Sequence, residues 1–131
     1  MKRFAVFGAS GCGRGVLPLV RQMLHADLNS GLVDLVFVDD HPSAPVMNGH
    51  IANSKVRQKL VERCAADGVQ FFEARAANVV QLDDVQIGEG AVLCSFVTLT
   101  SNIQIGKHFH ANSYSYVEHD SVIGDFVTFA P

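Results

Sequence analysis

The sequence is short of everything that would cross-link, charge or embed it. Its 131 residues hold three cysteines, Cys12, Cys64 and Cys94. An odd count with no paired spacing excludes a disulfide framework and points to reduced thiols. No Cys-x-x-Cys or His-Glu-x-x-His spacing occurs, so no metal site is expected. Positive charge is scarce: ten Lys and Arg stand against 13 Asp and Glu, for a net charge of -3. That is not the footprint of a nucleic-acid partner. Long apolar runs are missing too, and none approaches the length of a membrane span. Phe4-Ala5-Val6-Phe7 after Met1-Lys2-Arg3 faintly imitates a secretory signal. The apolar stretch stops at Gly8, too short for a signal core, and reads as a buried strand. The expectation is a cytoplasmic protein with no membrane and no nucleic acid among its partners. A composition of 48% hydrophobic and 18% charged residues suits one domain or two small ones.

What is present is a rhythm. Ile87, Leu93, Leu99, Ile105, Ala111, Val117, Ile123 and Phe129 are apolar residues, each six after the last. A beat of eighteen lies over it: Ile87-Gly88-Glu89, Ile105-Gly106-Lys107 and Ile123-Gly124-Asp125. Helices repeat at 3.6 residues and strands at 2, so neither alone makes this pattern. A coil with three flat sides does, one hexapeptide per side, which predicts a parallel β-helix. Residues on the beat point inward. Those two before it, among them Ala91, Val97, Ile103 and Phe109, sit near corners where size is limited. Bulky Phe109 beside small Ala111 reads as a trade of volume. Gly88, Gly106, Asn112 and Gly124, just after the beat, are expected at corners that favour positive φ. The rhythm runs from about Val85 and breaks off at Ala130-Pro131 in mid-phrase, without a cap, which predicts a truncated chain or one piece of a longer design.

The N-terminal half reads differently. Residues 2–7 predict a strand, 14–26 a helix and 32–38 a second strand, hence parallel strands with a helical crossover. Pro18 is placed in the first turn of the helix, where it is tolerated. An irregular loop over 41–54, a helix over 55–66 and a third strand over 69–72 follow. The division expected is an α/β unit over 1–72 and a β-helix over 73–131.

Two stretches can carry chemistry. Gly8-Ala9-Ser10-Gly11-Cys12-Gly13 joins a strand to a helix, where glycines admit a ligand to the backbone and the helix N-terminus favours an anion. Asp39-Asp40 ends the next strand, where a carboxylate can accept hydrogen bonds from a ribose or a base. Together they support a nucleotide-type site, although a ligand-free tight turn and solvated or capping acids fit the same residues. The glycine spacing differs from the dinucleotide fingerprint, which argues against a nicotinamide-dependent oxidoreductase. Cys12 is either a thiol activated by the helix N-terminus or a small residue in a tight turn.

The second stretch is Asn112-Ser113-Tyr114-Ser115-Tyr116-Val117-Glu118-His119-Asp120. A carboxylate beside an imidazole orients it and raises its basicity. Neighbours on a strand point to opposite faces, so Glu118 and Asp120 both serve His119 only if a corner bends the chain. The alternative is a solvated charged corner. His108 and His110 can share a strand face, as in some metal sites, but no third ligand stands near.

These residues resemble a known family. Val6-Phe7-Gly8-Ala9-Ser10-Gly11-Cys12-Gly13, Phe37-Val38-Asp39-Asp40 and the run from Ser115 to Pro131 are similar to the N-terminal part of sialic-acid O-acetyltransferase-like sugar acyltransferases, which include bacterial N-acetyltransferases of nucleotide-linked amino sugars. The resemblance covers nearly all of the chain. It implies a Rossmann-like α/β unit that binds the nucleotide sugar, then a left-handed β-helix that forms trimers, incomplete here at its C-terminus. It implies acetyl-CoA as co-substrate and a homo-oligomer. The family's base falls on His119, its partner carboxylate on Glu118 and a family asparagine on Asn112. The nucleotide-sugar site falls on Gly8, Ser10, Gly11, Cys12, Asp39 and Asp40. Three departures stand out. Many members have histidine where Cys12 stands, some have a second histidine where Thr128 stands, and members continue for several more coils. The function implied is acetyl transfer to a nucleotide-linked amino sugar, weakened or absent if the chain is truncated. The alternative is a non-catalytic nucleotide-sugar-binding or oligomerisation module of the same descent.

Overall fold

The computed structural model describes residues 1–7, 11–38 and 53–130, and for 11–13 the backbone alone. The chain divides into two compact units, Met1–Ile51 and Ala52–Pro131. The first contains β1 (Lys2–Phe7), α1 (Gly11–Met23), α2 (His25–Asn29) and β2 (Val33–Val38). β1 and β2 pair in parallel, from Lys2 opposite Val33 to Phe7 opposite Val38. The helical crossover is therefore as expected, with two differences. The helix begins at Gly11 rather than residue 14, so Pro18 lies in its interior. There it removes one backbone donor, at about 3 kcal/mol. Val16 and Val20, both buried, offset this by roughly 1.5–3 kcal/mol each. The helix also breaks at Leu24 before α2 resumes.

The second unit opens with α3 (Ser54–Ala66), whose N-cap Asn53 accepts hydrogen bonds from the N–H groups of Lys55 and Val56 at 3.0 and 3.2 Å. Residues 69–72, where a third strand was expected, have no regular structure. Ten short strands follow: β3 (Ala74–Arg75), β4 (Val80–Gln81), β5 (Val85–Ile87), β6 (Val92–Leu93), β7 (Thr98–Leu99), β8 (Ile103–Ile105), β9 (His110–Ala111), β10 (Tyr116–Val117), β11 (Val122–Ile123) and β12 (Thr128–Phe129). They form three parallel sheets, ordered β10-β7-β4, β11-β8-β5 and β12-β9-β6-β3. Val85 pairs with Ile103, Val92 with His110 and Thr98 with Tyr116, a shift of 103 - 85 = 18 residues per coil. The chain is a parallel β-solenoid with three sides.

Its core is the one the rhythm predicts. Leu93, Leu99, Ile105, Ala111 and Val117 on the beat are buried, as are Ala91, Val97, Ile103 and Phe109 two before it. The trade of volume is visible: the Phe109 ring meets the Phe129 ring edge-on at 5.2 Å, and Phe129 lies one coil from Ala111. The coil starts at Ala74, eleven residues before Val85 (85 - 74 = 11). The beat positions there are Arg75 and Gln81, which hydrogen-bond to each other at 2.9 Å, so the first coil carries no apolar beat to read.

The corners differ from expectation. Asp84, Gly90, Phe96, Asn102, His108, Tyr114, Asp120 and Phe126 have φ between +56° and +76°. The left-handed residue thus comes three after the beat, not one. Gly88 and Gly106 serve another purpose: a Cβ on Gly88 would lie 2.8 Å from the Gly106 carbonyl carbon and oxygen, and one on Gly106 would lie 2.8 Å from Gly124 carbon. The glycines let successive coils stack closely. Left-handed backbone costs a non-glycine residue about 1–2 kcal/mol. Contacts between coils offset it: Phe96 stacks on Tyr114 at 4.9 Å and His108 on Phe126 at 5.1 Å.

α3 packs with the coil, although the sequence groups its residues with the N-terminal unit. Its anchor is buried Arg57. The guanidinium donates to the carbonyls of His108 (3.1 Å) and Phe126 (2.8 Å) and to Thr128 Oγ1 (2.9 Å).

Candidate active site

The corner after β10 gathers the chemistry. Val117 points inward and is buried, and the next three residues, Glu118, His119 and Asp120, are exposed. Short bonds hold the turn. Ser121 Oγ donates to the Glu118 carbonyl at 2.7 Å, Thr100 Oγ1 to the Val117 carbonyl at 2.8 Å, and the Asp120 N–H to the Ser101 carbonyl at 3.1 Å. Asp120 has φ +62°, the bend that brings its carboxylate back to its neighbour. Its Oδ2 lies 2.7 Å from His119 Nδ1. Its Oδ1 accepts from Asn102 Nδ2 at 2.7 Å, one coil away.

Glu118 is held otherwise. Its Oε1 accepts from Tyr116 Oη and from the His119 N–H, both at 3.0 Å, and stands 3.7 Å from His119 Nε2. The ring's hydrogen-bond partner is therefore Asp120, not the Glu118 that the family resemblance implied; the left-handed corner makes this possible. Both carboxylates still flank the imidazole. The Asp120 hydrogen bond, then the charges of Glu118 and Asp120, raise the His119 pKa above its ordinary 6.5. Hydrogen bonds from Asn102 and His119 lower that of Asp120. Bonds from the His119 N–H and Tyr116 lower that of Glu118. With Nδ1–H donated to a carboxylate, the lone pair is on Nε2, and such an imidazole can accept a proton there.

Asn112 lies on the previous corner, between β9 and β10. It is half-buried, its N–H donates to the Phe129 carbonyl and its carbonyl accepts from the Ser115 N–H, both at 3.1 Å. Among the described residues no hydrogen bond joins it to His119. Thr128, where some members carry a second histidine, accepts from Arg57. The His108 ring meets Phe71 edge-on at 4.7 Å and stacks on Phe126, and burial lowers its pKa. Burial, then Arg57 and His108, push His110 down to about 3. Among the described residues no group of three or more His, Cys, Asp or Glu could hold a metal ion.

Gly8, Ser10, Asp39 and Asp40 lie outside the described residues, and Gly11 and Cys12 are the first two residues of α1. Sequence reasoning missed Asn102 and Arg57. The first had a signal: Asp84, Asn102 and Asp120 recur at eighteen residues. No helix among the described residues is long and apolar enough to cross a membrane.

No family model matches the chain. A GDP-perosamine N-acetyltransferase of Escherichia coli O157:H7 is 38% identical over 152 aligned residues, covering all of this chain and 68% of that protein. The structure of WeeI from Acinetobacter baumannii AYE superposes with a TM-score of 0.88 at 47% identity, over all of this chain and 70% of WeeI. The acetyltransferase domain of PglB from Neisseria gonorrhoeae FA1090, solved with acetyl coenzyme A, shares the fold with a TM-score of 0.77 at 22% identity, over 99% of this chain and 71% of that one. With a coil, a Glu-His-Asp corner and this degree of identity over more than two thirds of a relative, the chain belongs to the bacterial sugar N-acetyltransferases.

Proposed function

We propose that the chain transfers an acetyl group from acetyl-CoA to the amine of a nucleotide-linked amino sugar, with His119 as general base. The observation that carries this reading is the exposed His119 imidazole, tied at Nδ1 to Asp120 at 2.7 Å on a coil shared with sugar N-acetyltransferases. Nε2 takes a proton from the amine as its nitrogen attacks the thioester carbonyl. The C–S bond then breaks and CoA leaves as the thiol, carrying the proton His119 returns. No covalent enzyme intermediate is needed. A positioned base supplies roughly 10²–10⁴-fold, and holding two substrates together supplies much of the remainder.

In this reading the first unit, Met1–Ile51, is a Rossmann-like unit for the nucleotide sugar, shorter than the 1–72 expected, with Gly8, Ser10, Gly11, Cys12, Asp39 and Asp40 around the nucleotide. The parallel crossover of β1 and β2 supports it. The coil is left-handed and the protein cytoplasmic. Asn112 contacts the reacting groups. It lies on the corner at the other end of β10 from His119, and in this reading the two meet between neighbouring copies of a trimer.

The test is thioester cleavage with acetyl-CoA and GDP-, UDP- or dTDP-linked amino sugars. His119→Ala is expected to lose roughly 10²–10⁴-fold in kcat. Undiminished turnover in that variant rules out His119 as the base. Nucleotide-sugar binding by calorimetry without affinity for CoA would favour the non-catalytic module instead.

A further inference from the structure

We propose that Asn102 is a positioning residue, which holds the Asp120 carboxylate against His119 Nδ1 from the neighbouring coil. The proposal rests on the reading of His119 as the base. Asp120 and His119 have side chains 64% and 66% exposed. An exposed carboxylate turns about two side-chain torsions, and one hydrogen bond leaves its plane undetermined. Asn102 supplies the second bond. Its Nδ2 lies 2.7 Å from Oδ1 while Oδ2 lies 2.7 Å from the ring, so both oxygens are committed.

The anchor is itself rigid. The Asn102 N–H donates to the Asp83 carbonyl at 3.1 Å, and the next residue, Ile103, donates to the Asp84 carbonyl at 3.0 Å. Ile103 has its side chain fully buried. Asn102 has φ +56°, a conformation that asparagine tolerates better than most side chains. The residue type suits the task. An amide offers a donor without charge, whereas an aspartate would turn acceptor to acceptor and add a like charge in a column that already holds Asp84 and Asp120. The charged groups around the imidazole are then Glu118, near Nε2, and Asp120, at Nδ1.

A rung that merely joined two coils would stabilise the solenoid without touching the ring, so the readout is the ring. His119 is titrated by NMR in the whole chain, in Asn102→Gly, in Asp120→Asn and in the double variant. Glycine accepts the left-handed backbone, so the substitution removes the amide without strain. The His119 pKa is expected to fall in Asn102→Gly by at least half the fall seen in Asp120→Asn. In the Asp120→Asn background Asn102→Gly should add nothing. An unchanged His119 titration in Asn102→Gly, or an equal fall in both backgrounds, overturns the proposal. Thermal melts accompany each sample, and Asn102→Ser replaces the glycine variant if that fails to fold. The acid limb of kcat/KM separates this from the reading beneath it. It should follow the NMR shift in Asn102→Gly. A shifted titration with an unmoved limb overturns His119 as base, and with it the catalytic meaning of Asn102. An unmoved titration overturns Asn102 alone.

Discussion

At the scale of single residues, the two kinds of histidine respond to acid in opposite ways. His119 is the base only when neutral, and its pKa is raised, first by the Asp120 hydrogen bond. Activity should therefore fall on the acid side of a pKa above 6.5, and Asp120→Asn should move that limb to lower pH. The same variant should lower kcat about tenfold or more, since a base that is not oriented loses part of its advantage. A pH–rate profile of both proteins checks this. His110 behaves inversely. Its folded-state pKa is lowered to about 3 by burial, Arg57 and His108, so the fold binds fewer protons than the unfolded chain below pH 6.5. Stability is full above 6.5 and is lost as pH falls toward 3, by about 2 kcal/mol at pH 5 from this group alone. Urea melts at pH 7 and pH 5 should show that loss, and His110→Leu should reduce it.

At the scale of the hexapeptide, glycine and the left-handed residue do separate work. Gly88→Ala should destabilise the coil by about 1–3 kcal/mol, because the new Cβ meets backbone of the next coil at 2.8 Å. Gly124→Ala, with nothing within 4 Å of its Cβ, should change stability by less than about 0.5 kcal/mol. Thermal melts of the two variants make the comparison. The sequence placed the strain at the wrong residue because a glycine in a turn suggests positive φ. Here positive φ falls on Asn102, His108 and Asp120, which local preference allows, and also on Phe96, Tyr114 and Phe126, residue types that it would not select. They accept it because each can contact the residue eighteen before or after it, a term that exists only once coils are stacked. The beat itself was legible from Ile87 onward, since burial acts on each inward residue alone. It was illegible at Arg75 and Gln81, where polar side chains satisfy each other.

At the scale of the molecule, the distribution of Asn112 and His119 over two corners leads to a prediction about assembly. Each of His119→Ala and Asn112→Ala should be inactive or nearly so. If the two residues meet between copies, mixing the variants and allowing exchange restores activity, with about one site in four intact in an equal mixture. Activity measured against mixing ratio checks it, and no recovery would place both residues in one chain's site. The exposed aromatics Phe96, on the corner before β7, Tyr114, on the corner before β10, and Tyr116, on β10 itself, lie along this part of the coil.

The sequence by itself determined the three-sided coil, its inward residues, the parallel crossover of the first unit and the corner that carries Glu118, His119 and Asp120. These follow from short-range periodicity and from burial, which is additive along the chain. Only the tertiary structure decided that Asp120 rather than Glu118 holds the imidazole, that Asn102 holds Asp120, that Arg57 fastens α3, and that the coil begins at Ala74. Each of these depends on a backbone angle at a corner or on which residues face each other one coil apart. Such contacts are set by the stacking of coils, and their geometry arises only when the coil closes.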